Sequence, residues 1–192
     1  MQKMNTKTMV LGAVLTALVI VLEVVSASLG KAGMFRFTFA LLPIAIGAAA
    51  CGARMAAWLG LVFGFSVLLT GDAAAFLAVD AAGTIITVLL KGTLSGYVAG
   101  LLFSRLEKKN RYVATVTAAL ACPVVNTGVF LLGCYVFFMD TLAVWAESLG
   151  FGGNVAGYMI FGLCGINFLI EIGTNIVLSP VILRLLNIRK RA

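Results

Sequence analysis

Histidine is missing from all 192 residues, and only 11% of them are charged. The first absence removes the commonest general base and metal ligand. No HExxH-type motif and no nucleophile with an adjacent base can be assembled, so the reading is of no catalytic residue, no metal and no cofactor. Intramembrane proteolysis would want a Ser–His or paired-Asp arrangement within the apolar segments, and neither occurs. There is no GxxxxGK[ST] loop either, so this chain does not hydrolyse ATP itself. Its four cysteines (Cys51, Cys122, Cys134, Cys164) form no CxxC pair and lie in or beside apolar segments. That pattern indicates buried, inert thiols rather than a disulfide framework or a zinc site.

The shortage of charge excludes an ordinary soluble domain, where about 25% of residues are charged. What fills the space is apolar: 62% of the residues are hydrophobic. Six apolar segments stand out, roughly Thr8–Ser28, Phe37–Cys51, Met55–Leu69, Ala81–Phe103, Val113–Met139 and Val155–Leu186. A helix rises about 1.5 Å per residue through a hydrocarbon layer of about 30 Å. The first, fourth, fifth and sixth are long enough to span; the second and third are short legs joined by the tight turn "CGARMAA". The expected fold is all-α: a polytopic membrane protein with six transmembrane helices in one domain, residues 1–192. The first segment lacks a clear small-x-small cleavage site and further spans follow it, so it reads as a helix rather than a signal peptide.

The net charge of +7 reflects membrane topology and indicates no nucleic-acid partner. With six spans, Lys3, Lys7, Arg54, Arg105, Lys108, Lys109, Arg111, Arg184, Arg189, Lys190 and Arg191 share one side; only Lys31 and Arg36 fall on the other. Positive charge stays inside, which makes both termini cytoplasmic. The external loops "LGKAGMFR", "TGDAAAFLAVD" and "DTLAVWAESLGFGGN" carry Phe35, Phe76 and Trp145. These are either interface anchors or parts of a lid.

Lys91 is a lone charge in the run Ala81–Phe103. Thr84, Thr87, Lys91 and Ser95 recur at helical spacing on one face, and Gly92, Gly96 and Gly100 form a close-packing face beside it. In the sixth segment Asn167, Glu171 and Asn175 repeat at i, i+4 and i+8, with Thr174 and Ser179 on the same side. In the fifth, Pro123 is expected to bend the helix just before Asn126 and Thr127. Such groups face a bundle interior or a water-filled cavity and not lipid. Lys91, Thr87, Asn126, Asn167, Glu171 and Asn175 are therefore the candidate ligand site. The competing use is structural: Lys91 paired with Glu171, and the amides as interhelical glue. The functions that fit are a binding protein, a small stand-alone secondary carrier, and a structural or assembly membrane protein without a ligand.

Several features coincide. They are Ala13-x-x-x-Ala17 in the first segment, "LPIAIGAAACGARMAAWLGLVFG" in the second and third, and "LLKGTLSGYVAGLLF" in the fourth. With the length and the six spans, they make the whole chain resemble a substrate-binding S component of an energy-coupling factor (ECF) vitamin transporter. The resemblance implies high-affinity capture of a vitamin at the outer face of a bacterial cytoplasmic membrane. Its implied partners are a membrane coupling subunit (EcfT-like) and two ATPase subunits. It implies docking of the coupling subunit on the face of Ala13 and Ala17. It also implies a gate in the loop from Leu29 to Arg36, with Lys31, Phe35 and Arg36. The second and third segments look most like pantothenate-type members, with riboflavin or folate as alternatives. In a pantothenate binder Lys91 would neutralise the substrate carboxylate.

Overall fold

The computed structural model describes residues 6–31 and 38–191. Every regular element among them is helical. The order is α1 (Thr6–Lys31), α2 (Leu41–Cys51), α3 (Ala53–Thr70), α4 (Ala74–Leu77), α5 (Ala81–Leu106), α6 (Arg111–Phe137), α7 (Met139–Ser148) and α8 (Val155–Gly157). A π-helical stretch, Tyr158–Cys164, then leads into α9 (Gly165–Arg191).

Local chemistry sets the ends. α3 stops at Gly71, which takes a left-handed conformation (φ 77°) that residues with a side chain avoid. α5 starts at Asp80, whose carboxylate accepts the Gly83 N–H at 3.1 Å. α6 starts at Asn110, whose side-chain oxygen accepts from the N–H groups of Tyr112 and Val113 at 2.9 and 3.2 Å. Each cap satisfies donors that the first helical turn leaves open. α6 then runs through Pro123 as one continuous helix.

Four helices among the described residues (α1, α3, α5 and α6) are long and apolar enough to cross a membrane. Val155–Cys164 and Asn167–Pro180, bent by 43° where they meet, make a fifth if the pair is one span. The second segment is shorter than its apolar run: α2 has eleven residues, about 16 Å of helix, and does not reach across about 30 Å of hydrocarbon. The reason is local. Phe39 and Ala40 form a turn, and Pro43 fits in the first helical turn, where its missing N–H costs nothing. Two of the loops expected on the outside also fold: "TGDAAAFLAVD" contains α4, and "DTLAVWAESLGFGGN" contains most of α7.

α3 and α5 pack along the face that the glycine spacing marked. A side chain at Gly92 would strike the Gly60 carbonyl, one at Gly96 the Ala56 carbonyl, and one at Gly100 the Ala53 backbone. The main apolar core surrounds the short α2. Leu41, Ile44 and Ala48 are fully buried there against Leu15 and Val19 of α1, Leu59 and Phe63 of α3, and Cys122 of α6. A second, smaller cluster of Cys134, Phe138, Leu142, Ala146 and Tyr158 closes the end where α6 meets α7.

Candidate functional site

Between these two clusters lies a cavity of about 130 Å³. It lies toward the end of the bundle where α3 and α6 stop and α5 begins. From α5 come Thr84, Thr87, Val88 and Lys91; from α6, Asn126, Thr127 and Phe130; from α9, Asn167, Phe168 and Glu171. Thr38 ahead of α2, Asp72 and Ala73 after α3, Phe76 of α4, and Phe138, Leu163 and Cys164 complete the wall.

Five of the six residues singled out in the sequence meet here: Thr87, Lys91, Asn126, Asn167 and Glu171. Asn175 does not line the cavity. It is buried one turn further along α9, where its amide nitrogen donates to the Glu171 carbonyl at 2.8 Å. Ser95 likewise lies beyond the cavity and donates to the Gly92 carbonyl at 2.7 Å. Thr84 reaches the wall, but its hydroxyl is spent on the Asp80 carbonyl at 2.6 Å.

The other hydroxyl and amide groups are left open. The side-chain oxygens Thr87 Oγ1, Asn126 Oδ1 and Asn167 Oδ1 are buried and have no hydrogen-bond partner, as does Asn175 Oδ1 behind them. Buried polar atoms are almost always paired, so a group of orphans in one wall is a signal of something that binds there. Thr87 can stand this close to α6 because Gly133 opposite it has no side chain.

Lys91 closes no ion pair with Glu171. Its ammonium lies 5.0 Å from the centre of the Phe130 ring and 5.9 Å from that of Phe63. Glu171 receives the Thr38 hydroxyl instead. The structural alternative of a direct Lys91–Glu171 salt bridge is therefore not the observed geometry.

Phe76 roofs the cavity. Its ring meets those of Phe130, Phe138 and Trp145 edge-on, with centres 5.6, 5.1 and 5.5 Å away. Phe76 thus lines the cavity, and Trp145 packs against it from outside the lining. Of the expected gate, Phe35 and Arg36 lie outside the described residues; Lys31 ends the α1 backbone, and its side chain lies outside them as well.

One buried charge was passed over in reading the sequence. Glu23 of α1 is 3% exposed and does not line the cavity. The signal was present, because Glu23 is a lone charge in an apolar helix, as Lys91 is. On the exposed side of the same helix lie Ala13 and Ala17, together with Met9, Val10 and Val14.

A family model described as "ECF transporter, substrate-specific component" matches residues 7–183. No curated protein and no solved structure matches the chain.

Proposed function

The chain belongs to the family of ECF transporter substrate-specific components, and from that premise we propose that it captures a vitamin outside the cell for ATP-driven uptake. The observation that carries this reading is the cavity wall: three partnerless buried oxygens, a lysine and a glutamate converge on one space. Glue would pair such groups with each other; a binding site leaves them for a ligand. The proposed contacts are Thr87, Lys91, Asn126, Asn167 and Glu171, with Asn175 supporting Glu171 from behind.

The orientation follows from charge. The cavity lies at the end of the bundle opposite Arg54, Arg105, Lys108, Lys109 and Arg111. Positively charged ends stay in the cytoplasm, so the cavity opens outward and both termini are cytoplasmic. The six passes of this proposal use α2 as a short leg sheltered by α1, α3, α5 and α6 rather than by lipid. Binding, not catalysis, is the task, and the membrane is the cytoplasmic membrane of a bacterium.

Transport needs partners: an EcfT-like coupling subunit and two ATPase subunits. The exposed small residues Ala13 and Ala17 on α1 offer a face where another helix can approach closely. The loop with Lys31, Phe35 and Arg36 is the proposed gate. Pantothenate, riboflavin and folate are the vitamins to which the sequence resemblance leads.

The test is a panel of water-soluble vitamins against the purified protein in detergent. A true ligand at a hundredfold excess over Kd raises unfolding stability by about 2.7 kcal/mol. A flat melting temperature across the whole panel would sink the reading and favour a ligand-free scaffold.

A further inference from the structure

We propose that a groove between α6 and the bent pair Val155–Cys164 and Asn167–Pro180 holds one acyl chain of a membrane phospholipid, and that this chain backs a wall of the ligand cavity. The proposal holds whichever ligand the cavity takes.

The groove follows from the local backbone. Tyr158–Cys164 is π-helical, and the chain turns by 43° between it and the helix that continues from Asn167. A π-helical stretch and a bend keep this pair from lying along α6 in one straight seam. Gly128 of α6 and Gly165 of α9 both line the gap and add no side chain to it. A side chain at Gly128 would start in open space, with no atom within 4 Å of its Cβ position. The result is a space of about 470 Å³, against about 130 Å³ for the ligand cavity.

Its walls select the occupant. Apart from Thr127 and Cys164 they are hydrocarbon side chains and glycine, which water does not fill. The groove runs along α6 from Val124 to Leu131, and α6 continues to Phe137. It therefore stops about 9 Å short of the helix end, at the depth of the lipid tails and not of the headgroups. The outer edge is bulky: Phe161 and Leu169 are 75% and 67% exposed. Such an edge holds off a second helix, about 10 Å across, which needs small residues to come close. A flexible acyl chain passes between these side chains. At the inner end Thr127, Cys164 and Phe168 line both the groove and the ligand cavity. One layer of side chains thus separates lipid from ligand.

The test uses the full-length protein in mild detergent, with dioleoylphosphatidylcholine as the probe. Native mass spectrometry should show one lipid retained by the wild type after lipid on the rest of the surface is stripped, and added lipid should raise the melting temperature. Gly128→Leu fills the groove from within. It should lose both the retained lipid and the lipid-dependent rise, while its melting temperature without lipid equals or exceeds that of the wild type. Leu132→Phe adds bulk at a neighbouring position that is 64% exposed and outside the groove, and should keep both. A groove reserved for a partner protein or a second copy of this chain would leave the wild type without a retained lipid, which overturns the proposal. Equal retention by Gly128→Leu and wild type, or loss in Leu132→Phe, overturns it as well. Should Gly128→Leu fail to fold, Phe161→Ala still decides. It removes one side of the outer edge without touching the core and should weaken lipid binding by roughly threefold or more; unchanged binding would overturn the assignment.

Discussion

The two halves of α5 face the same bundle and are built to opposite ends. In the N-terminal half, Thr84, Thr87 and Lys91 border a cavity, and the Thr87 hydroxyl has no partner. In the C-terminal half, Gly92, Gly96 and Gly100 lie against the backbone of α3, and the Ser95 hydroxyl is satisfied at 2.7 Å. One half leaves polar groups open where they cost stability. The other removes side chains altogether so that backbones touch. In a membrane, lipid tails are as apolar as the helices, so close contact rather than burial from water drives association. The glycine half is therefore what can hold a bundle whose other half is hollow.

The comparison breaks most severely at Gly96. A side chain there meets the Ala56 carbonyl, and neither backbone can yield without parting the helices. Gly96→Leu should destabilise the protein by about 3 kcal/mol and lose ligand binding only because the fold is lost. Monodispersity on gel filtration and the melting temperature in detergent check this. A well-folded Gly96→Leu protein would mean that the α3–α5 contact is not what holds the bundle.

A similar contrast runs across α1, with Glu23 on the buried face and Ala13 and Ala17 on the exposed one. Ala17→Trp should leave ligand affinity and melting temperature unchanged, because no described residue covers that exposed position. Uptake by the complete complex with its ATPases should fall to background if the coupling subunit docks there. Wild-type uptake by Ala17→Trp would move the docking face elsewhere.

Five of the six residues singled out in the sequence line the cavity, for one physical reason. A polar group in an apolar helix has nowhere to go but inward, so Lys91, Asn126 and Glu171 announced a shared interior before any coordinates. Depth was not legible. Asn175 continues the stripe of Asn167 and Glu171 in perfect period, and periodicity gives the face of a helix but not where a cavity ends. Glu23 obeys the same rule as Lys91 and was passed over because α1 was read for its small residues. The short α2 was hidden because hydrophobicity measures burial, and α2 is buried by neighbouring helices rather than by lipid. α4 and α7 were hidden because short helices over a cavity mouth look like sticky loops.

The finest distinction lies between two hydroxyls on α5, Thr87 and Ser95. Thr87→Val keeps the shape that packs beside Gly133 and removes a buried oxygen that bonds to nothing. The empty protein should become more stable, by about 1 kcal/mol, or roughly 2–4 °C in a chain of this size. Ligand affinity should fall by a similar amount, because the bound state loses the partner that the orphan was kept for. Ser95→Ala removes a hydroxyl already bonded to the Gly92 carbonyl. It should cost about 0.5–1 kcal/mol of stability and leave affinity alone. The signs oppose each other, so thermal melts with and without ligand on the two variants are decisive even though each effect is small. A Thr87→Val protein that is less stable than wild type, with unchanged affinity, would make its hydroxyl a structural group. The hollow half of α5 would then be an accident of packing and not a site.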